Sequence, residues 1–494
     1  MKTIINYFKR THWLRVSVAF LTCLLSLVFP SCQKDFPINN KFLDNVDMMS
    51  PKSLVTYPPV VYYGPKTFIR GYGAPFIETL AIENPNFEDF DGNFVLKIQN
   101  GSDKITRVSS AEIKIDGVLV INTSDLSKKI PFITKQLFGL TSASVLEVKI
   151  FSEPGSFIKL WIEGTSKYLN KPNCRSLFIP KTYDYQIVGF YPSWEQEAMP
   201  VISIPWEKLT RIIYFAAIPN ADGTINISGL TNTTQLVDCA HAHGVEVYFS
   251  VGGGSPWSDN FPVMATHEES RKKFIKEVRQ YVFENCLDGV DIDWEYWSGD
   301  QNNVVVPAES YALLSIVKDL KREIAPFDLK ISIDVAWHDY FGKHFLDEIT
   351  DYVDYVMVMA YEMHGPSNEP GPHSAFDYAI GSGSDNNSTG LAYWINYRGW
   401  PKENILLGVP FYGKNFEQNG VTDISFANIV KQYPDAYNSD QVNNIYYDGI
   451  NTMANKTQYV VDNKLGGMMI WEIALDSPVE SVSLLNTIYN IMHP

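Results

Sequence analysis

The chain has 494 residues, of which 45% are hydrophobic, 14% aromatic and 19% charged. This apolar content is enough for sizeable cores and argues against disorder, and the length indicates two domains or more. The formal net charge of −16 disfavours nucleic acid as a partner, because a phosphate backbone is bound by clustered lysine and arginine side chains.

Residues 1–32 are typical of an export signal. A basic segment precedes the apolar stretch Val16–Phe29, which is shorter than the about 20 residues that a transmembrane helix needs. Ser31 directly before Cys32 resembles a bacterial lipoprotein signal, in which the cysteine is lipidated and becomes the first mature residue. The alternative is a plain secretory signal with an incidental cysteine. The resemblance implies a protein anchored in the lipid bilayer of the bacterial outer membrane and exposed at the cell surface.

Three cysteines remain after such processing, namely Cys174, Cys239 and Cys286. They are widely spaced and contain no C-x-x-C pair, so they indicate neither a zinc site nor a dense disulfide framework. We expect buried free thiols, and we expect no metal or other cofactor.

Residues 33–182 predict an all-β sandwich domain. Four segments alternate apolar and polar residues, and the dipeptides Asn100-Gly101, Asp116-Gly117 and Pro154-Gly155 separate them as turns. Short strands without helices between them favour a β-sandwich. The segment resembles the immunoglobulin-like modules that precede catalytic domains in many bacterial surface enzymes. We interpret it as a spacer, with sugar binding as the alternative.

Residues 183–494 predict an α/β domain with a (β/α)8 TIM barrel. Eight apolar strand candidates alternate with amphipathic helical segments, a pattern that favours parallel strands joined by helical crossovers. The strand candidates are QIVGFY at 186, RIIYFAA at 211, VEVYFSVGG at 245, GVDIDWEY at 289, KISIDVAW at 330, YVMVMAYE at 355, ILLGVPFYG at 405 and GGMMIWE at 466. A doubly wound open sheet is the alternative, but no G-x-G-x-x-G follows the first strand. A barrel of this kind places its active site at the carboxyl ends of the strands.

The fourth strand candidate carries an unusual density of acidic residues in the stretch CLDGVDIDWEYW. Side chains alternate between the two faces of a strand, so Asp291, Asp293 and Glu295 share one face and the intervening apolar residues share the other. Because the apolar residues must meet the helices, the three carboxyls are expected to point into the barrel and its mouth. Burying neighbouring like charges is costly, so one or two of them should keep a proton and serve as an acid.

This stretch resembles the motif D-G-x-D-x-D-x-E of glycoside hydrolase family 18, which comprises the chitinases and their relatives. The matching residues are Asp288, Gly289, Asp291, Asp293 and Glu295. Four further segments are similar to strand ends of the same family: SVGG at 250–253, MAYE at 359–362, and GVPFYG and GGMMIW near the C-terminus. The resemblance covers the chain from about residue 185 to its last residue.

The resemblance implies that Glu295 protonates the glycosidic oxygen and later activates water. Asp293 is expected to turn between Asp291 and the acetamido group of the substrate, whose carbonyl oxygen accepts a hydrogen bond from Tyr361. In this family the acetamido oxygen of the substrate replaces an enzyme nucleophile. The expected partner is therefore a glycan that contains N-acetylglucosamine.

A further set of residues at the strand ends is implied to bind the substrate or to support the carboxylates. In the resemblance Tyr191 and Ser250 support the acidic residues, and Trp471 forms the floor beneath the distorted sugar. The set comprises Tyr191, Phe215, Ser250, Gly252, Gly253, Trp297, Met359, Glu362, Tyr412 and Trp471.

Two residues depart from the family pattern, because Glu362 and Lys414 stand where Asp and Arg are common. Contacts to the leaving-group sugar are therefore expected to differ. The segment of about fifty residues after the seventh strand, 414–465, shows two helical patterns and looks too short for the extra α+β domain that deepens the groove in many chitinases. We expect a shallower, endo-acting cleft in a monomeric protein.

Three functions are compatible with these residues. The first is hydrolysis of β-1,4 linkages between N-acetylglucosamine units, as in chitinases. The second is an endo-β-N-acetylglucosaminidase that cuts the same linkage in the chitobiose core of N-glycans. The third is a catalytically silent lectin, which the presence of Glu295 disfavours.

Overall fold

The computed structural model describes residues 60–84, 87, 90–166, 178–299, 302, 304–366, 369–382, 388–417 and 420–494. The expected export signal, Cys32 and Cys174 lie outside the described residues. Within the described ranges, each helix is too short or too polar to cross a membrane.

Two antiparallel sheets of four strands each form the N-terminal region. Their strands are β1 (Val60–Ile69), β2 (Phe76–Ala81), β3 (Phe90–Asn100), β4 (Ala111–Ile115), β5 (Val118–Ile121), β6 (Phe132–Leu137), β7 (Val145–Ile150) and β8 (Phe157–Ser166). One sheet has the strand order β1-β8-β3-β6, and the other has the order β2-β7-β4-β5.

A single apolar core lies between these two sheets. Phe94, Leu96 and Ile98 of β3 are buried in alternation with partly exposed residues, and Ile113 and Val148 of the other sheet belong to the same buried cluster. Period-two burial on facing sheets is the packing of a β-sandwich, so the predicted all-β sandwich is confirmed. Its immunoglobulin-like classification and its role as a spacer stay predictions.

The remaining described residues alternate strands with helices. The strands are β9 (Gln186–Pro192), β10 (Arg211–Pro219), β11 (Ile225–Asn226), β12 (Glu246–Gly253), β13 (Gly289–Trp294), β14 (Lys330–Ala336), β15 (Tyr355–Met359), β16 (Ile405–Pro410), β17 (Tyr412–Glu417), β18 (Gly420–Ser425), β19 (Gln441–Val442), β20 (Ile445–Tyr446) and β21 (Gly467–Trp471). The helices are α1 (Thr233–Ala242), α2 (Phe261–Thr266), α3 (Glu268–Glu284), α4 (Pro307–Ile324), α5 (Asp339–Gly342), α6 (Phe376–Ile380), α7 (Gly390–Ala392), α8 (Phe426–Gln432), α9 (Ile450–Asn463) and α10 (Leu484–Met492).

Eight parallel strands close into a barrel in the order β9-β10-β12-β13-β14-β15-β16-β21, and β21 pairs with β9. These are the eight strands that the sequence predicts, so the TIM barrel is confirmed. Helices cover the barrel through their apolar faces: in α3, for example, Phe274, Val278 and Val282 are buried at helical spacing, while Glu268 and Glu269 occupy the first turn. Acidic residues there interact favourably with the helix dipole.

The segment after the seventh barrel strand corrects the sequence-based expectation. Strands β17 to β20 form a four-stranded antiparallel sheet, and α8 follows β18, so the insertion is a small α+β subdomain. Two of its strands have only two residues. Strands of that length show no measurable alternation, so half of this sheet leaves no pattern in the sequence. The expectation of a shallower cleft rested on the absence of such a subdomain, so it loses its support.

The expectation of free thiols is also wrong for the two described cysteines. Cys239, which is buried on α1, and Cys286, which directly precedes the acidic motif, are both disulfide-bonded. Wide spacing along the chain did not reveal this, because loop length does not fix which cysteines meet in space.

Candidate active site

The acidic motif lies at the carboxyl end of β13, inside the barrel. Asp291 and Asp293 are buried, and Glu295 follows the strand at the barrel mouth, where its side chain is exposed. The neighbouring strands supply hydroxyl groups to Asp291. Ser250 of β12 donates to Oδ2 at 2.8 Å, and Ser332 of β14 donates to Oδ1 at 2.7 Å. Both carboxylate oxygens of Asp291 are thus held, one from each neighbouring strand.

Burial controls the protonation of these acids. It raises the pKa of Asp291 to about 6, against the lowering effect of the surrounding hydrogen bonds. The pKa of Asp293 is raised well above its usual value by burial and then by the charges of Glu295 and Asp291. At the mouth, loss of solvation by the enclosing walls and repulsion from Glu362 raise the pKa of Glu295 to about 7. Glu295 can therefore hold a proton near neutral pH and release it readily, as a general acid requires.

A loop serine fixes the end of the acidic strand. The hydroxyl of Ser258 donates to the backbone carbonyl of Asp293 at 2.9 Å and accepts from the backbone N–H of Glu295 at 3.1 Å. Ser258 is fully buried, so water does not compete with this bridge. Sequence reasoning missed Ser258, since it lies 37 positions from Glu295 in a loop and carries no motif.

Tyr361 and its neighbours face the acidic residues from the end of β15. Burial raises the pKa of the Tyr361 hydroxyl well above its usual value, with further contributions from Asp334 and Glu295. The hydroxyl therefore stays protonated and can donate a hydrogen bond. Met359, the last residue of β15, packs half-buried against the apolar cluster inside the barrel.

The two departures from the family pattern contact each other. Oε1 of Glu362 accepts hydrogen bonds from Nζ of Lys414 and from the hydroxyl of Tyr412, each at 2.8 Å. Lys414 also pairs with Asp423 at 2.8 Å. Burial raises the pKa of Glu362, but Lys414 and Tyr412 outweigh that effect and lower it overall. Glu362 is thus an anion held at the rim, and Tyr412 is buried beneath it.

Aromatic rings line another part of the mouth. Phe215 of β10 packs edge-on against Trp471 of β21 with a centroid distance of 4.9 Å, and Trp257 lies 6.0 Å from Phe215. Trp194 is half exposed and lies 5.9 Å from Trp257. Trp471 is itself partly exposed, so its ring is accessible to a flat sugar face.

Gly252 and Gly253 allow β12 to approach these groups closely. A Cβ atom on Gly252 would lie 2.0 Å from the carbonyl oxygen of Asp293, and one on Gly253 would lie 2.5 Å from the ring of Phe215. Both glycines have positive φ angles, which other residues rarely adopt. The two glycines therefore contribute the space that Asp293 and Phe215 occupy, and neither has a side chain that could contact a substrate.

The structure does not bring Tyr191 to the acidic residues. Its hydroxyl donates to the backbone carbonyl of Met199 at 2.6 Å, and its ring stacks with Tyr214. Phe190, like Val188 of the same strand, belongs to the apolar cluster inside the barrel, and its ring lies 5.4 Å from Trp471. Because side chains alternate along a strand, a displacement of one residue moves the assignment to the opposite face.

Trp297 also departs from its expected place at the substrate. It is 1% exposed, and its ring stacks on Trp294 and on His344 with centroid distances of 4.6 and 4.7 Å. Trp294 faces the helices and stacks on Phe261 of α2. Trp297 therefore continues the packing behind β13 and does not line the mouth.

A fourth acid, Asp334 of β14, was missed by the sequence analysis. It is 2% exposed and lies near Asp291 and Asp293, and its pKa is raised by burial and then by the charges of these two residues. The alternation in KISIDVA placed it on the same face as Ser332, but this signal has meaning only once β14 is known to neighbour β13. Over the described ranges no cluster of three or more His, Cys, Asp or Glu side chains could hold a metal ion.

Proteins of known structure and curated proteins resemble this chain. A chitinase from Bacteroides thetaiotaomicron is 27% identical, covering 64% of this chain and 97% of that one with a TM-score of 0.54. The GH18 chitinase ChiB from the chitin utilization locus of Flavobacterium johnsoniae is 25% identical over 63% of this chain and 94% of its own, also with a TM-score of 0.54. A chitinase-like effector of Moniliophthora roreri is 26% identical over 57% of this chain and 71% of that protein.

The family model of glycosyl hydrolases family 18 matches residues 186–476, which is more than half of the chain. The matched range begins at the first strand of the barrel, ends just after the eighth, and contains the acidic motif of β13. By this match and by its barrel, the chain belongs to glycosyl hydrolases family 18.

Proposed function

We propose that the protein hydrolyses β-1,4 linkages between N-acetylglucosamine units, in chitin or in chitooligosaccharides, with retention of configuration. The observation that carries this proposal is the position of Glu295 at the barrel mouth, directly above the buried Asp293 and facing Tyr361. Its surroundings raise its pKa to about 7, which suits a general acid. Family membership supports a glycoside hydrolase, and the names of the bacterial relatives of known structure favour chitin as the substrate class.

In the proposed reaction Glu295 donates its proton to the glycosidic oxygen as the bond to the leaving sugar breaks. The acetamido oxygen of the substrate attacks the anomeric carbon and forms a cyclic oxazolinium ion. The Glu295 carboxylate then removes a proton from water, which opens the ring. Each proton that leaves Glu295 is thus returned to it within one cycle.

Asp293 and Tyr361 are proposed to hold the acetamido group. Asp293 accepts a hydrogen bond from its N–H, which becomes more acidic as the ring closes, and the hydroxyl of Tyr361 donates to its oxygen and orients it. The acids of the motif favour this route over an enzyme nucleophile, because Asp291 and Asp293 are buried within the barrel whereas Glu295 stands at the mouth. Glu362, which also lies at the rim, is already engaged in an ion pair. Retaining enzymes of the two-carboxylate type instead require both acids at the sugar ring.

Direct assays on two substrate classes test the proposal. Incubation with chitooligosaccharides should yield shorter N-acetylglucosamine oligomers, whereas a high-mannose glycoprotein should keep its glycans. Release of the glycans without cleavage of chitooligosaccharides would favour the endo-β-N-acetylglucosaminidase. Binding of chitooligosaccharides by folded protein without any cleavage would leave only the lectin.

We also propose that an acyl group on Cys32 anchors the protein to the outer membrane. The sandwich domain, which lies between Cys32 and the barrel in the sequence, would then be a spacer. Cys32→Ala should remove the mature protein from the membrane fraction, because one cysteine carries the whole acyl attachment. Fractionation followed by immunoblotting measures this. Cys23→Ala, within the apolar stretch, is the matched control and should leave the distribution unchanged. Mature Cys32→Ala protein that still fractionates with membranes would contradict the proposal.

A further inference from the structure

Asp334 is an acid of the barrel interior that the proposed reaction does not use. The pairing of β13 with β14 sets Asp291 beside Ser332 and Ile292 beside Ile333, so Asp334 follows at the level of Asp293. It is 2% exposed and therefore has almost no access to solvent. Side chains at one level of neighbouring parallel strands that share a face are adjacent, which places Asp334 among the acids of the motif.

The absence of hydrogen-bond donors to Asp334 over the described part of the chain indicates a protonated carboxyl group. Among the described residues none donates a hydrogen bond to Oδ1 or to Oδ2, although both atoms are buried. A carboxylate ion in that position would be desolvated without a single donor, which is strongly unfavourable. A protonated carboxyl group instead carries its own donor and needs only an acceptor.

Asp291 supplies that acceptor. Its carboxyl group lies within hydrogen-bonding range of Asp334, and it already receives hydroxyl donors from Ser250 and Ser332. A carboxyl group that receives several hydrogen bonds is the one that remains charged. This arrangement favours an ionised Asp291 beside a neutral Asp334.

We propose that Asp334 is a positioning residue, which remains protonated and donates a third hydrogen bond to Asp291 so that Asp291 stays the charged member of the buried pair. The consequence for catalysis rests on the proposed function. A charged Asp291 favours the protonated form of Asp293, which is the residue expected to turn toward the acetamido group.

The charged and titratable groups around Asp291 and Asp334 also favour a charged Asp291 and a neutral Asp334. From β13 and its end, Asp291, Asp293 and Glu295 each raise the pKa of Asp334, after the larger effect of burial. Two strands away, Arg211 of β10 favours the charged form of Asp291. Tyr361 is neutral and adds no charge. The surroundings thus keep the proton on Asp334 and the charge on Asp291.

Two substitutions separate the neutral form of Asp334 from a charged one. Asp334→Asn keeps the shape of the side chain and supplies an N–H donor. If Asp334 is protonated, this substitution removes no charge, so the acidic limb of the pH profile of kcat should stay at the same pH. Asp334→Leu removes the hydrogen-bond donor to Asp291, which raises the pKa of Asp291. The acidic limb should therefore move to higher pH by about one unit. KM should change little in either variant, because Asp334 is 2% exposed and makes none of the proposed contacts with the substrate. A downward shift in Asp334→Asn, or an unmoved limb in folded Asp334→Leu, would overturn the proposal.

A spectroscopic measurement tests the proton on Asp334 without any assay of activity. In infrared difference spectra at pH 7, Asp334→Asn should lack one carbonyl stretching band of a protonated carboxyl group that the unaltered protein shows. Asp222→Asn is the matched control, because Asp222 is an exposed carboxylate paired with Lys273 and should contribute no such band. Persistence of the band in Asp334→Asn sinks the proposal. Loss of the band in a protein that cleaves no glycan would uphold the proton on Asp334 and reject the proposed function.

Discussion

Replacing Glu295 with glutamine should lower kcat on chitooligosaccharides by about 10² to 10⁴, the usual contribution of general acid catalysis. The amide keeps the size of the side chain but has no proton acidic enough to transfer to the leaving oxygen. The surroundings should tolerate the change, since the carboxyl stands at the mouth and its pKa is already raised toward the neutral form. Binding of the substrate should therefore survive, which calorimetry with an uncleaved oligosaccharide would measure.

Glu269→Gln provides the matched control for this substitution. Glu269 lies in the first turn of α3 with its side chain 91% exposed, and it makes no contact with the barrel mouth that the structure describes. Its replacement should leave both kcat and substrate affinity unchanged. If Glu295→Gln retained full activity, another group would have to protonate the leaving oxygen, and the assignment of Glu295 would fail.

Residues that are close along the chain were the ones that the sequence could predict. The alternation of Asp291, Asp293 and Glu295 needs only the period of a strand, so their common face follows without knowledge of the fold. Tyr191 shows where this reasoning is most sensitive: it is adjacent to Phe190, and a strand buried on both faces gives no polarity pattern to decide between them. The structure resolves the choice in favour of Phe190 inside the barrel.

Asp334 and Ser258 required information that no local pattern contains. Their contacts to β13 depend on which strands and loops are neighbours, and on the register that sets Asp291 beside Ser332. The same holds for the disulfide bonding of Cys239 and Cys286. Sequence alternation thus predicts the orientation of a side chain within its strand, whereas the partner across the barrel follows only from tertiary structure.

Removing the acetyl group from the sugar at the cleavage site should stop hydrolysis at that position. If the acetamido oxygen is the nucleophile, a free amine lacks the attacking atom although the sugar keeps nearly the same shape. Attached nucleophiles reach effective molarities of about 10⁵ to 10⁸ M, so an outside molecule cannot replace the lost group. Asp293 and Tyr361 would also lose the N–H and the oxygen that they are proposed to hold. Partly deacetylated chitooligosaccharides, with cleavage sites mapped by mass spectrometry, measure this effect.

Two further readouts on the same substrates complete the test of the substrate-assisted route. Attack by the acetamido oxygen followed by water from the opposite face inverts the anomeric carbon twice, so NMR should detect the β anomer of the product first. A stable thiazoline analogue of the cyclic ion should inhibit, because it matches the state that the site stabilises most. Re-acetylating the amine is the matched control and should restore cleavage. Cleavage of fully deacetylated chains at a similar rate would show that the acetamido oxygen is not the nucleophile. An α anomer as the first product would show that water attacks the anomeric carbon directly.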